Sequence, residues 1–310
     1  MKLGSDVPMT RNDAPIVVLD SGLGGLTVVQ ALHARMPQER IVYFGDTARL
    51  PYGSKTPATV THFVEQIIHY LEPFQPKHVV IACNTASALA LESVRETFPD
   101  LSITGVVEPG ARAAVDALRP GEEPVIGVIA TEATVRSRAY VLAIEDLCPS
   151  ARVITRATPL LVHVIEEGRE LDDPLVRLCL QQYLAPILDR RPSALVLGCT
   201  HYPILRPLIC ELVGKQVSVI DSAAQCAQDV REHLAERGLL RDAGYDMLES
   251  IRPAGLPPID APAESWLQCY VTDDSPRFAM LASRFLGITV APPEVVSPDE
   301  LFANLTAQAL

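Results

Sequence analysis

The sequence has few aromatic residues, no long apolar run and no cluster of basic residues. Only 5% of its 310 residues are aromatic, so aliphatic side chains must fill the core. No segment approaches the roughly 20 apolar residues that a membrane-spanning helix needs. Residues 1–14 are polar and lack the apolar stretch of a secretory signal. We therefore expect a cytoplasmic protein with no membrane partner.

Positive charge and paired cysteines are also scarce. Lys and Arg number 26 against 38 Asp and Glu, which gives a formal net charge of -12. A chain of this charge repels phosphate backbones, so we expect no direct nucleic-acid partner. The seven cysteines are odd in number and include no CxxC pair, which argues against both a disulfide framework and a zinc site. We expect reduced thiols and no bound metal.

Short apolar runs alternate with helical patterns along the chain. Continuous Val- and Ile-rich runs joined by helices predict strands that are buried on both faces of a parallel sheet. The predicted fold class is α/β, with two similar parallel-sheet domains. The predicted strands are Ile16–Asp20, Ile41–Asp46, His78–Cys83 and Ser102–Val107 in the first group, Val125–Ala130, Arg152–Ala157 and Ala194–Cys199 in the second, and Trp266–Asp274 near the end, before a helix at Pro276–Leu286.

Two breaks suggest how the chain divides between the domains. Glu108-Pro109-Gly110 is predicted to break the chain after a strand, and Val217–Ser222 is predicted to cross back. Gly238–Ser265 is rich in proline and glycine, so we predict a long surface insertion there. The predicted division is an N-terminal tail at 1–14, a first domain at 15–108 plus 220–310, and a second domain at 109–219.

Two of the cysteines stand in similar local sequences. Cys83 in VVIACNT and Cys199 in LVLGCTH each follow an apolar strand and precede polar residues. In open α/β sheets, ligands bind beyond the carboxyl ends of the strands. Asn84-Thr85 and Thr200-His201 are predicted to begin helices, whose N-termini lower a thiol pKa and attract anions. We predict that Cys83 and Cys199 are functional and that the other five cysteines pack in the core.

Two thiols that face each other suit the inversion of an amino-acid α-carbon. One base removes a proton from one face, while the other delivers a proton to the opposite face. This chemistry needs no cofactor. The glycine turn at Asp20–Gly25 fails the dinucleotide-binding pattern, because Thr27 stands where a third glycine would be. Asp20 and Ser21 are then candidates to reach a ligand, with Asp20 holding a substrate ammonium group or deprotonating the nearby thiol.

The chain resembles the glutamate racemases of the aspartate/glutamate racemase superfamily. The matching stretches run from about Val17 to Ala223 and include DSGLGG, PYGSK, CNTAS, GVVEPG, VIEEG, GCTHYP and VIDSA. The resemblance implies two α/β domains related by pseudo-twofold symmetry, with the active site in the cleft between them. It also implies an isomerase that interconverts L- and D-glutamate without a cofactor and supplies D-glutamate for peptidoglycan synthesis.

The resemblance further implies a role for each site residue. Cys83 would deprotonate D-glutamate with help from Asp20, and Cys199 would deprotonate L-glutamate with help from His201, with Glu166 nearby. A homodimer and activation by a cell-wall precursor are compatible with the resemblance. The residues implied to hold the glutamate substrate are Asp20, Ser21, Tyr52, Gly53, Asn84, Thr85, Thr131, Thr134, Thr200 and His201.

Three alternatives remain open at this point. An aspartate racemase of the same superfamily is the nearest, although such relatives tend to carry glutamate where His201 stands. A thiol hydrolase built on Cys199 and His201 is disfavoured, because close neighbours in sequence rarely face each other after a strand. A two-lobed amino-acid-binding protein is disfavoured by the lack of a secretory signal.

Overall fold

The computed structural model describes residues 11–121, 123–241, 266–273 and 278–301. The first ten residues of the predicted tail and the predicted insertion from residue 242 onward therefore lie outside the described residues. Within the described parts, every helix is too short or too polar to cross a lipid bilayer.

The described strands form two parallel sheets. The strands are β1 (Ile16–Asp20), β2 (Ile41–Gly45), β3 (His78–Ile81), β4 (Ile103–Gly105), β5 (Val125–Ala130), β6 (Arg152–Ala157), β7 (Ala194–Gly198), β8 (Ser218–Asp221), β9 (Leu267–Val271) and β10 (Glu294–Val295). Strand order is β10-β9-β2-β1-β3-β4 in the first sheet and β6-β5-β7-β8 in the second, and every neighbouring pair is parallel. The α/β class predicted from the sequence is confirmed.

Helices connect most successive strands, as parallel pairing requires. They are α1 (Leu26–Arg35), α2 (Pro57–Leu71), α3 (Asn84–Leu89), α4 (Leu91–Thr97), α5 (Val107–Asp116), α6 (Glu132–Ser137), α7 (Ala139–Leu147), α8 (Pro159–Glu166), α9 (Pro174–Leu188), α10 (Arg206–Val213), α11 (Ser222–Glu236) and α12 (Phe278–Leu286).

The central strands are fixed in the core by buried aliphatic side chains. All five residues of β1 are buried, because β2 and β3 pair with its two edges and side chains pack on both of its faces. Each fully buried aliphatic side chain stabilises the folded state by about 1.5–3 kcal/mol. The rigid strands therefore fix the positions of the residues that follow their carboxyl ends.

One local prediction was wrong. Glu108-Pro109-Gly110 does not break the chain but lies in the first turn of α5. A proline is tolerated there because the first backbone N–H groups of a helix have no intrahelical partner. The edge strand β10 was not predicted, since only Glu294 and Val295 form it and neither is buried.

The predicted domain division stays a prediction. The first sheet takes strands from both ends of the chain, and the second takes its strands from the middle. Helix α11 contacts β4 in the first sheet and β7 in the second, so it joins the two halves.

The other five cysteines are free thiols with differing environments. Cys179, Cys226 and Cys269 are buried, as predicted. Cys148 is only partly buried, and Cys210 is exposed, so the prediction of core packing was wrong for Cys210.

Candidate active site

A cleft between the two sheets contains both candidate thiols. Cys83 follows the carboxyl end of β3 in the first sheet, and Cys199 follows β7 in the second. The two side chains are 5% and 6% exposed. The cleft holds about 410 Å³ of unfilled space, counting its open mouth, and is lined by Ser21, Gly22, Leu50, Pro51, Tyr52, Gly53, Cys83, Asn84, Thr85, Thr131, Val162, Glu166, Cys199, Thr200 and His201.

The lining includes every predicted site residue except Asp20 and Thr134. Both of these are buried behind the wall of the cleft. Four lining residues were not among the predicted site residues, because glycine and apolar side chains carry no reactive group; they are Gly22, Leu50, Pro51 and Val162. Leu50 and Pro51 adjoin the predicted Tyr52, and that proximity was the only available hint.

The turn after β1 brings Asp20 and Ser21 towards Cys83. Asp20 Oδ2 accepts a hydrogen bond from Gly22 N at 3.1 Å. Asp20 Oδ1 is buried and has no hydrogen-bond partner among the described residues. The Cys83 thiol donates to Ser21 Oγ at 3.4 Å. Burial raises the pKa of Asp20 above its ordinary value, although His201 and the backbone N–H groups of the turn oppose this.

Cys83 occupies the N-cap of α3, as predicted, but its pKa is not lowered. Its Sγ accepts a hydrogen bond from Ala86 N at 3.5 Å. Burial and the neighbouring Asp20 nevertheless raise the pKa of Cys83 to about 12, and outweigh its hydrogen bonds with Ser21 and Ala86. The expectation of a lowered thiol pKa was therefore wrong for Cys83, which is a protonated thiol near neutral pH.

The side chain of Cys199 faces a histidine. Thr200 and His201 form a turn, which is followed by a short 3-10 helix at Tyr202–Leu205. The predicted helical start therefore lies at this position, but as a 3-10 helix with His201 as its N-cap, and α10 follows it. His201 Nδ1 lies 3.8 Å from Cys199 Sγ, and His201 Nε2 lies 3.1 Å from Glu166 Oε1. The two neighbours do face each other, which corrects the reason given above for disfavouring a thiol hydrolase.

The electrostatic surroundings of His201 favour its charged form. Burial alone would lower the pKa of His201, but the hydrogen bonds and charges of Cys199 and Glu166 outweigh burial. The pKa of His201 rises to about 10. The charged ring lies 3.8 Å from Cys199 Sγ, so it can stabilise negative charge that forms on that sulfur.

Helix α12 packs against His201. The Phe285 ring meets the His201 ring edge to face, with centroids 5.5 Å apart. Arg284 Nη2 donates to the carbonyl of Arg169 at 2.8 Å, just beyond the end of the helix that carries Glu166. The sequence pattern did not reveal these contacts, because each joins residues that are far apart in the chain. The separation is 115 residues for the hydrogen bond and about eighty for the ring contact.

Hydroxyl and amide groups line the side of the cleft beside Cys83. Thr85 Oγ1 lies 2.9 Å from Thr131 Oγ1 and 3.2 Å from Thr134 Oγ1, so a residue after β3 meets two residues after β5. The Tyr140 hydroxyl donates to Asn84 Oδ1 at 2.6 Å. Because this bond occupies the amide oxygen, the NH₂ group of Asn84 is left to donate elsewhere.

Two glycines allow loops of the first sheet to touch the second. A Cβ atom on Gly24 would collide with Thr200 Oγ1 and lie 2.6 Å from His201 Nδ1. A Cβ atom on Gly53 would lie 2.8 Å from Thr131 Cβ. Only glycine permits such close approach. The absence of a side chain at Gly24 therefore lets the glycine turn after β1 contact Thr200 and His201 of the second sheet.

The sequence pattern of the Asp/Glu/Hydantoin racemase family matches residues 26–230, well over half of the chain. A glutamate racemase from Chlorobaculum tepidum is 44% identical over 246 residues, which are 79% of this chain and 89% of that protein. One from Neisseria meningitidis serogroup A is 41% identical over 283 residues, or 91% of this chain and 96% of that protein. The chain belongs to the glutamate racemases of this family. They are amino-acid isomerases.

The solved structure of a relative agrees with this membership. Glutamate racemase from Francisella tularensis subsp. tularensis SCHU S4, solved in complex with D-glutamate, superimposes with a TM-score of 0.78 at 34% identity. The match covers 92% of this racemase and 98% of that chain.

The raised pKa of His201 predicts how the stability of the racemase depends on pH. Folding raises this pKa from 6.5 to about 10, so the folded state binds the proton more tightly. The resulting stabilisation is fully present below pH 6.5 and is lost as the pH rises through about 10. We expect the difference in free energy of unfolding between the wild type and His201→Asn to shrink across this range in urea denaturation.

His33 provides a matched control for that measurement. Burial lowers the pKa of His33 to about 4, so its contribution changes only between about pH 4 and pH 6.5 and with the opposite sign. The difference between the wild type and His33→Asn should be constant above pH 7. A His201→Asn difference that is equally constant from pH 6 to pH 10 would contradict the prediction.

Proposed function

We propose that the protein interconverts L- and D-glutamate by proton transfer between Cys83, Cys199 and the two faces of the α-carbon. In the L-to-D direction the Cys199 thiolate takes the α-proton, and the Cys83 thiol gives its proton to the opposite face. The D-to-L direction uses the same pair in opposite roles. Each turnover therefore exchanges the protonation states of the two thiols and consumes no proton overall.

One observation carries this proposal. The two thiols come from the carboxyl ends of strands in different sheets, and both line the same cleft. A hydrolase built on Cys199 and His201 would have no use for a second buried thiol in that cleft. A two-base inversion requires a second acid–base group in the cleft, and the second thiol can fill that role.

The surroundings of the two thiols differ in a way that suits two different roles. The pKa of Cys83 is raised to about 12 by burial and by Asp20, so this residue starts as the proton donor. The charged ring of His201 lies 3.8 Å from Cys199 Sγ, where it can stabilise the negative charge that this sulfur carries when it acts as a base. A thiol at Cys83 and a thiolate at Cys199 form the combination that L-glutamate needs.

The polar wall of the cleft suits an amino acid with two carboxylates. The free NH₂ group of Asn84 and the hydroxyls of Ser21, Thr85 and Thr131 can donate hydrogen bonds to carboxylate oxygens. Asp20 stays a predicted substrate-binding residue, although it lies behind the wall of the cleft, with its buried Oδ1 lacking a hydrogen-bond partner among the described residues.

Glutamate is proposed as the substrate because the relatives described above are glutamate racemases. The D-glutamate produced would serve peptidoglycan synthesis in the cytoplasm. A homodimer and activation by a cell-wall precursor stay predictions.

Racemisation in deuterated water tests the two-base mechanism. Starting from either enantiomer without added cofactor, deuterium should enter the α position of the inverted product, while recovered substrate stays protiated at early times. The label is followed by proton NMR and the inversion by circular dichroism, with aspartate as the comparison substrate. Equal label in recovered substrate and product at early times would point to a single base and refute the mechanism.

A further inference from the structure

A buried carboxylate stands behind one wall of the cleft. Asp46 follows β2, and its side chain is fully buried. Its Oδ2 accepts a hydrogen bond from the Tyr52 hydroxyl at 2.5 Å and an ion pair from Arg49 Nε at 2.7 Å. Its Oδ1 accepts from Thr272 Oγ1 at 2.9 Å. Such a charge is stable without water only because these donors satisfy it.

The segment from Thr47 to Ser54 depends on this carboxylate for its position. It contains two short 3-10 helices and no strand. The loop after β9 holds its first half, because Thr47 Oγ1 donates to the Asp273 carbonyl and Ala48 N donates to Thr272 Oγ1, each at 2.8 Å. The second half of the segment is held by the hydrogen bond from the Tyr52 hydroxyl to Asp46, which also accepts from Thr272 of the loop after β9.

The same segment forms a wall of the cleft. Leu50, Pro51, Tyr52 and Gly53 all line it, and Gly53 lies directly against Thr131 of the second sheet. The Tyr52 hydroxyl points at Asp46, so it is not free to bind the substrate. Contacts from Tyr52 to a ligand must therefore come from its ring or its backbone, and their placement depends on the hydroxyl anchor.

Asp46 also has a link to the catalytic turn. Its backbone N–H donates to the carbonyl of Asp20 at 3.0 Å. Asp46 thus connects the start of the Thr47–Ser54 segment to the end of β1, which Ser21 follows.

We propose that Asp46 is a positioning residue that holds the Leu50–Gly53 wall in the substrate-binding position through Tyr52 and Arg49. It does not touch the substrate. The inference rests on the proposed function where it concerns glutamate, but the placement of the wall can be tested without any substrate. Loss of the carboxylate should widen the cleft, weaken binding of both enantiomers and expose the two thiols.

The test compares Asp46→Asn, Tyr52→Phe and the double variant with Glu39→Gln. Glu39 is another buried carboxylate, paired with Lys77 at 2.5 Å and remote from the cleft lining. We expect KM for L- and D-glutamate to rise about tenfold in Asp46→Asn, with kcat changed by less than about threefold, because the wall contributes binding and no proton transfer. Tyr52→Phe should raise KM in the same direction, and the double variant should show less than the product of the two factors. Glu39→Gln should leave KM unchanged.

A second readout needs no turnover. Alkylation of Cys83 and Cys199 by iodoacetamide, followed by mass spectrometry of the free protein, should be faster in Asp46→Asn and Tyr52→Phe than in the wild type and Glu39→Gln. If Asp46→Asn fails to fold, Tyr52→Phe alone decides, since it removes one hydroxyl only. Wild-type alkylation rates in the folded variants would overturn the inference, as would a fall in kcat with KM unchanged. Failure of the wild type to racemise glutamate would refute the proposed function, while the alkylation rates would still decide the role of Asp46.

Discussion

Replacement of Cys83 or Cys199 by alanine is expected to lower the rate of glutamate racemisation by about 1,000-fold or more, while the protein stays folded. A positioned acid or base contributes about 100- to 10,000-fold to a proton transfer. Cys83 and Cys199 are the two thiols that line the cleft among the described residues, and each follows a strand of a different sheet, so neither has a second thiol to replace it. Steady-state racemisation measured by circular dichroism from both enantiomers checks the prediction.

The two single variants should differ in which enantiomer still exchanges its α-proton with solvent. In Cys83→Ala the Cys199 and His201 pair remains, so L-glutamate can lose its α-proton and regain a deuteron on the same face. We therefore expect slow deuterium exchange into L-glutamate without inversion, and much slower exchange into D-glutamate. Cys199→Ala should show the reverse preference.

Cys226→Ala is the matched control for both variants. Cys226 is as buried as the two site thiols, but it lies on α11 and does not line the cleft. Its replacement should cost stability through a small cavity and leave kcat nearly unchanged. Full racemase activity in Cys83→Ala or Cys199→Ala would exclude the two-base mechanism.

The sequence carried enough information to find the thiols, and the reason is geometrical. Parallel strands that are buried on both faces read as continuous Val- and Ile-rich runs, and ligands gather at their carboxyl ends. Cys83 and Cys199 could therefore be placed from sequence patterns alone. The prediction that Glu108-Pro109-Gly110 breaks the chain was wrong, because the same proline fits the first turn of α5.

The surroundings of the thiols could not be predicted in the same way. A sequence shows that Cys83 precedes a helix, but not that burial and Asp20 together outweigh the helix N-terminus and raise its pKa. The bond from Tyr140 to Asn84 and the contact of Phe285 with His201 join distant parts of the chain. Tertiary packing determines such contacts, so no local sequence pattern predicts them.

The second large effect is expected from His201→Asn, which should lower kcat/KM by about 100-fold. The substitution removes the charged neighbour of Cys199 and the hydrogen bond to Glu166, and buried hydrogen bonds to charged groups contribute about 1.5–3 kcal/mol each. Glu166→Gln keeps a hydrogen-bond acceptor near His201 Nε2 but removes the charge. We therefore expect a smaller loss, about tenfold, in that variant.

The direction in which His201 acts cannot be read from kcat/KM alone. L- and D-glutamate have equal free energies in an achiral solvent, so kcat/KM must fall by the same factor in both directions. Isotope effects separate the two steps. If His201 serves Cys199, its loss makes proton transfer between Cys199 and the α-carbon rate-limiting. α-Deuterated L-glutamate should then show a large primary isotope effect on kcat/KM in His201→Asn, and α-deuterated D-glutamate a small one. The opposite pattern would assign His201 to Cys83, against its 3.8 Å approach to Cys199 Sγ.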